Sequence, residues 1–557
     1  MAMFIALGLC VFMLWPIALT IGSGFSDGGK PSLYWFCRTM SDPIRLQEMA
    51  NGVMLACTAT LLSLVLSLPL AMLRARCNFR GAGVLSLLVL VPMILPPFVG
   101  AVSMRHLFSQ FGVVNLTLAK LGLLDFSRSH PPDWLGSGFF GVALLQSLHL
   151  FPILYLNASA ALANVDPAYA QAARNLGAGP WRTFFRITLP LMRPGLFAGG
   201  TIVFIWSLTD VGTPLIVGYE NLIPITIFKE LARGDIAPRT YSLVFVLLSG
   251  TVTLYVLGKF LFGAGAEADS SKASVAAEIK PLGVLGTLGA WLLFGGVIFL
   301  ALLPHVGVVL TALSSQWVNT VLPTKYTLRH LEFVMTRPET YNSIVNSLKY
   351  AGTSTVVDMV LGCMAAWAIV RARVRGRTLL DGLCMLPLAV PGLILAAGYV
   401  AMTAPGTAME KIGPMHNAFV ILVIAYSVRR ISFVVRGVSA GLEQVPESLE
   451  EAARSFGASR GGAAFRITVP LIAANIVAAG VLTFAFAVLE VSDSLILAQV
   501  PADYPITKTI YVLASSGGED AANVASAVGV YGMVLLGGTM ALASALLGKK
   551  LGTIFRA

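Results

Sequence analysis

Charge is what this chain has least of. Asp, Glu, Lys and Arg make up only 12% of its 557 residues, against roughly 25% in an ordinary soluble domain. Three or four soluble domains would fit the length, but so little charge could not clothe them. Cysteine is scarce as well: Cys10, Cys37, Cys57, Cys77, Cys363 and Cys384 are scattered, mostly in apolar runs, without C-x-x-C spacing. That excludes a thiolate metal site and a disulfide framework. Neither H-E-x-x-H nor G-x-S-x-G occurs. The nearest approach to a phosphate-binding loop, Gly24 to Lys30, is followed by Pro31 where Ser or Thr is needed. No catalytic residue, bound metal or cofactor is expected on this chain.

Apolar residues are present in abundance, at 56%, and they fall into runs. A bilayer core about 30 Å thick needs roughly 20 apolar residues per helix. Twelve runs meet that: near 2-22, 51-73, 83-104, 137-161, 195-218, 240-258, 283-314, 344-370, 379-403, 417-435, 477-499 and 521-548. The first starts at Met1 without a cationic flank or a small-residue cleavage site, so it reads as a retained helix. The expected fold is an all-α polytopic membrane protein.

The net charge of +11 is explained by where the cations sit. Loops on the side of the termini carry 21 Lys and Arg against 8 acids, whereas the opposite loops carry 14 of each. Cationic loops face the cytoplasm, so both termini are expected there. No basic patch interleaved with aromatics occurs, and nucleic acid is not an expected partner.

The stretch 264-282 is small, polar and charged, reads as a flexible cytoplasmic linker, and divides the spans six and six. At an offset of 280, Leu162 to Leu191 superimposes on Leu442 to Leu471 with 13 identities in 30 positions and no gap. A second match, at 295, pairs Asn51, Thr58, Thr60, Arg76, Gly81 and Pro96 with Asn346, Thr353, Thr355, Arg371, Gly376 and Pro391. The chain is a tandem duplication of one six-helix unit, with halves 1-263 and 283-557 related by an axis along the membrane normal.

The most repeated segment lies between the fourth and fifth spans of each half, where a mere connector would be free to diverge. Gln171, Ala172, Ala173, Arg174 and Gly177 in the first copy answer Glu451, Ala452, Ala453, Arg454 and Gly457 in the second, with Glu450 just before. The pattern suits a short helix with small residues for close approach and glycine as its C-terminal stop. Pro190 and Pro470 are expected to open the next span. A simple turn would explain the Gly and Pro but not Ala-Ala-Arg at the same spacing twice.

Glu450-Glu451-Ala452-Ala453-Arg454-x-x-Gly457, followed by Ile467-x-x-Pro470, resembles the "EAA" loop of binding-protein-dependent ABC importer permeases. The motif occurs in both halves, about 162-194 and 442-474, and the resemblance covers nearly the whole chain. It departs in the first copy, where Gln171 stands for the glutamate. The resemblance implies a type I importer permease of the bacterial inner membrane. Each loop would be a coupling helix seated on one of two cytoplasmic ATPase subunits, which bind ATP and Mg. A separate binding protein would deliver the solute on the outer face.

Charges inside spans are expensive and are functional candidates by default. Asp210 and Glu490 correspond at the offset of 280, each near the outer part of its span, with Asp493 one turn on. Arg429 and Arg430 align with His149 and Leu150. These residues are candidates for a pathway or gate. For the arginines, pairing with an acid, snorkelling and contact with an anionic solute stay open. Asp358 and Lys349 have no assigned partner. His149 is the only histidine expected in mid-span, too few for a zinc site.

The run Glu490 to Ile496, with Tyr504 to Lys508, is most similar to ferric-iron permeases. Closely similar fused permeases act on 2-aminoethylphosphonate, and polyamine permeases are more distant. Ferric iron is thus the expected solute, with those two as alternatives. A self-contained, ion-coupled secondary transporter would share the duplication and the buried charges but not the docking motif.

Overall fold

The computed structural model describes residues 2–94, 96–126, 130–136, 138–233, 237–262, 280–372, 374–388, 390–518 and 520–547. The linker expected at 264-282 therefore lies outside the described residues up to 279. Among the described residues, nine helices are long and apolar enough to cross a bilayer. In the first half they are Ala2–Gly24, Pro43–Arg76, Phe139–Asn164, Pro180–Thr209 and Pro238–Gly258. Val284–Leu313, Pro338–Val370, Ala418–Gln444 and Ala521–Thr539 follow in the second. Three bent pairs bring the spans to twelve if each is counted as one broken span: Ala82–Met93 with Pro97–Lys120 (92°), Arg377–Leu388 with Gly392–Met402 (102°), and Arg460–Leu471 with Ala473–Val488 (72°). Every run marked in the sequence falls on one of these.

Several spans are not the plain rods that hydropathy suggests. The third and ninth break beside Pro96 and Pro391, which cannot donate to the helix ladder and push the preceding residue out of helical geometry. The fifth, expected over 195-218, ends at Thr209 and restarts as the short helix Gly212–Val217. Its counterpart ends at Val488 and restarts as Ser492–Leu497. Irregular backbone at membrane depth persists only where protein or a cavity satisfies it, so these breaks point to the site.

Pro190 and Pro470 stand in the first turn of the α-helical segments Leu189–Thr209 and Val469–Leu471, as expected, but helical backbone does not start there. The helices begin earlier, at Pro180 and Arg460, and pass through one π-helical turn each, Phe184–Thr188 and Ala464–Thr468. The wider turn just before each proline absorbs the hydrogen bond that the proline cannot make.

The two halves are interlocked. The first span crosses to the second half, where Tyr399 Oη donates to the Phe12 carbonyl at 2.7 Å. A Cβ on Gly398 would sit 2.7 Å from the Pro16 carbonyl oxygen, so only glycine allows that backbone approach. The seventh span returns the clasp: Ser103 Oγ donates to the Pro304 carbonyl at 2.9 Å. Ser103 and Gly398 correspond at the offset of 295. Phe294, Val297, Ile298 and Ala301 of the seventh span share a core with Leu70, Phe79, Leu148 and Phe151 of the first half. A two-residue parallel pairing of Cys77–Asn78 with Lys280–Pro281 anchors the start of this crossing helix.

Candidate functional site

The breaks of the third and ninth spans, the middles of the fourth and tenth, and the unwound ends of the fifth and eleventh enclose one cavity of about 180 Å³ between the halves. Its lining comes in equivalent pairs: Pro96 with Pro391, His149 with Arg429, Trp206 with Phe486, and Asp210 with Glu490. Trp206 and Phe486 touch each other edge to face, their centroids 6.0 Å apart. Equivalent residues in mutual contact place the pseudo-two-fold axis through this point. Phe433 stacks on Phe486 at 5.0 Å and extends this aromatic wall.

Asp210 and Glu490, read in the sequence as acids within spans, sit just beyond helix ends, where the backbone has unwound. Asp210 is held by neutral donors. Gln146 Nε2 donates to its Oδ2 at 3.1 Å and the Gly212 amide to its Oδ1 at 3.0 Å, so it caps the short helix that follows. Glu490 is held by charge. Arg429 Nη1 donates to it at 2.5 Å and Arg430 Nη2 donates to its other oxygen. Arg429 also reaches Asp493 at 3.3 Å, and Arg430 donates to the Phe486 carbonyl at 3.0 Å. Both arginines thus pair with acids rather than snorkel, which buried charges require. Hydroxyls of Ser494 and Thr507 donate to the Glu490 carbonyl at 2.6 and 2.8 Å, satisfying the unwound backbone.

Five of the six pathway candidates therefore line the cavity: Asp210, Glu490, Arg429, Arg430 and His149. Asp493 lies behind Glu490, fully buried. His149 Nδ1 is 3.1 Å from the Pro92 carbonyl. It is not the only histidine at this depth, because His305 of the seventh span lines a small gap beside it. The long run at 283-314 hid that residue near its end. Among the described residues, no three His, Cys, Asp or Glu side chains converge to hold a metal ion.

Sequence reasoning missed Gln146 and the Trp206–Phe486 contact. A polar residue in mid-span and two aromatics at the repeat offset were the available signals. Asp358 is buried in the eighth span, and neither of its oxygens has a hydrogen-bond partner among the described residues. Lys349 is exposed.

The repeated loops form the expected helices, Pro167–Asn175 and Glu447–Ser455. Gly177 and Gly457 follow with φ of +83° and +92°. The next amide turns back, Ala178 to the Ala173 carbonyl at 2.9 Å and Ala458 to that of Ala453 at 3.1 Å. This is a Schellman closure that needs left-handed backbone. Gln171, Ala172, Arg174, Glu451, Ala452 and Arg454 are exposed, while Ala173 and Ala453 are half-buried. Glu450 departs from the rest by turning inward, with its side chain only 16% exposed. Each helix ends in an apolar tip in the open, Leu176 at 88% and Phe456 at 94% exposure.

Comparison with known proteins agrees with this architecture. The family model of the binding-protein-dependent transport system inner membrane component matches residues 63–320 and again 358–553. The chain is 26% identical over 502 residues to a putative ferric transport system permease protein, FbpB 1, of Haemophilus influenzae, covering 87% of this chain and 76% of that one. It is 25% identical over 516 residues to the ferric transport system permease protein FbpB of Actinobacillus pleuropneumoniae, covering 90% and 71%. The molybdenum transport system permease protein ModB of Escherichia coli is 33% identical over 198 residues, 34% of this chain and 80% of ModB. With two matches that span most of its length and a cavity shared by two equivalent halves, the chain belongs to the family of binding-protein-dependent transport system inner membrane components.

Proposed function

We propose that this chain forms the solute pathway of an ATP-driven importer, with both termini in the cytoplasm and each repeated loop seated on one ATPase subunit. The pairing of a single cavity, lined by equivalent residues of both halves, with two equivalent exposed loops carries the reading. Covering Leu176 and Phe456 in a partner's cleft would stabilise each contact by about 1.5–3 kcal/mol. The sequence holds no phosphate-binding loop, so ATP and Mg belong to the partner subunits. A binding protein on the outer face hands over the solute, and the Trp206–Phe486 contact opens to let it pass.

Ferric iron is the solute this reading favours, because both ferric relatives align over most of the chain. A second reading, 2-aminoethylphosphonate, is favoured by Arg429 and Arg430 at the cavity wall, since guanidinium groups match phosphonate oxygens. Uptake of radiolabelled iron and of labelled 2-aminoethylphosphonate by cells with and without this chain tests both. Loss of iron uptake alone supports the first, loss of phosphonate uptake alone transfers the function to the second, and loss of neither overturns both. The purified complex should weigh as one chain with two ATPase subunits. Two chains per ATPase pair would overturn the fused-pair reading.

A further inference from the structure

Arg371, at the end of the eighth span, and Glu450 of the loop helix together join four elements of the second half. Arg371 Nη2 donates to the carbonyls of Leu442 and Val445, where the tenth span ends, at 2.9 and 2.6 Å. Its Nε donates to Glu450 Oε1 on the loop helix at 3.0 Å. The same carboxylate oxygen accepts from Thr468 Oγ1, in the π-turn of the eleventh span, at 2.7 Å. Glu447, one turn earlier on the loop helix, lies 3.7 Å from Arg371 Nη1. The side chains are only 7% and 16% exposed, so these charge-assisted bonds escape most of the screening that weakens surface pairs.

The first half has the same arginine and threonine but not the carboxylate. Arg76 and Thr188 correspond to Arg371 and Thr468, while Ala170 stands where Glu450 would be. Arg76 Nη2 donates directly to Thr188 Oγ1 at 3.0 Å, and Arg174 of the loop helix repels it. The first loop helix is therefore packed beside its spans, whereas the second is pinned to them.

We propose that Glu450 and Arg371 are a positioning pair that makes the second loop helix and the ends of the eighth, tenth and eleventh spans move as one body, while the first loop stays loosely tied. This rests on the reading of the loops as ATPase docking sites. It assigns Glu450 to the chain's own spans and leaves the exposed Glu451 to face the partner.

The test uses the full chain with its co-purifying ATPase and with exposed native cysteines replaced by serine. Spin labels go on Ala372→Cys, at the end of the eighth span, and Phe456→Cys, at the loop tip, and their separation is read with and without ATP and vanadate. With Glu450 in place, one narrow distance should persist in both conditions. Glu450→Gln keeps size and polarity but loses the charge, and should raise the population of a second distance about tenfold. Ala170→Glu should narrow the corresponding pair in the first half, Cys77 with Leu176→Cys. A distance distribution unchanged by Glu450→Gln overturns the proposal. Loss of ATPase subunits from Glu450→Gln without a change in distance also overturns it, by making Glu450 a docking contact. If the wild-type chain retains no ATPase, the docking reading falls, and the distances still decide whether the pair holds the helix.

Discussion

The two halves solve one problem in different chemistry. Where the fifth and eleventh spans unwind beside the cavity, the first half holds Asp210 with Gln146 and a backbone amide. The second holds Glu490 between two guanidiniums. The surrounding positions follow the same division: Ser63, His149, Leu150 and Thr213 in the first half stand where Asp358, Arg429, Arg430 and Asp493 stand in the second. With its central acid, the first set holds one carboxyl and no guanidinium, and the second holds three carboxyls and two guanidiniums. Duplication preserved the backbone break, and the side-chain chemistry around it was free to diverge. A neutral network can lose a member cheaply, but a charged one leaves an uncompensated ion behind.

The largest expected effect tests that asymmetry directly. Glu490→Gln leaves buried Arg430 without its carboxylate and Arg429 with Asp493 alone, which costs about 3–5 kcal/mol, whereas Asp210→Asn keeps an acceptor for the Gly212 amide and loses the bond from Gln146, worth about 1 kcal/mol. Thermal unfolding of the two purified variants, followed by tryptophan fluorescence, should rank Glu490→Gln clearly below Asp210→Asn. Equal losses would show that the arginine pairs add nothing beyond hydrogen bonding.

A middle-sized effect belongs to the loop glycines, where the halves should behave alike. Gly177→Ala and Gly457→Ala each force a Cβ into left-handed backbone at about 1–2 kcal/mol, although the space around both positions is open. Each should lower the fraction of a tagged ATPase retained on co-purification by a similar factor. Full retention in both variants would show that the Schellman closure does not shape the docking surface.

The smallest effect separates the loops again. Gln171 and Glu451 occupy the same exposed place on matching helices. A charge-assisted bond to the partner is worth about 1.5–3 kcal/mol in shelter and less at an open surface. Glu451→Gln should therefore weaken ATPase retention modestly and more at low salt, while Gln171→Ala should change little. Equal, salt-independent losses would remove charge from the docking account.

How much could be read in advance follows the range of the interaction. The loop helices were legible down to single residues because caps, small residues and the glycine stop act within a turn or two of chain. The eleven-residue half-helix after Pro391 was not, since a proline within an apolar run marks a possible break without saying whether surrounding protein will satisfy the freed backbone groups. Arg429 and Arg430 could be flagged as expensive but not assigned, because Glu490 lies 61 and 60 residues away and several acids were compatible by depth. Glu450 could be assigned to the loop helix but its inward turn could not be foreseen, since its partner Arg371 is 79 residues earlier.

By itself the sequence determined the class of protein, the apolar runs that become its helices and the duplication. Water and lipid impose those requirements on every residue of a run, wherever the rest of the chain goes. Which half each first span embraces, which acid each buried cation meets and where the spans break open into a cavity were decided only in the tertiary structure. Apolar surfaces carry no address, and a buried charge takes whichever partner the packed helices bring within about 3 Å.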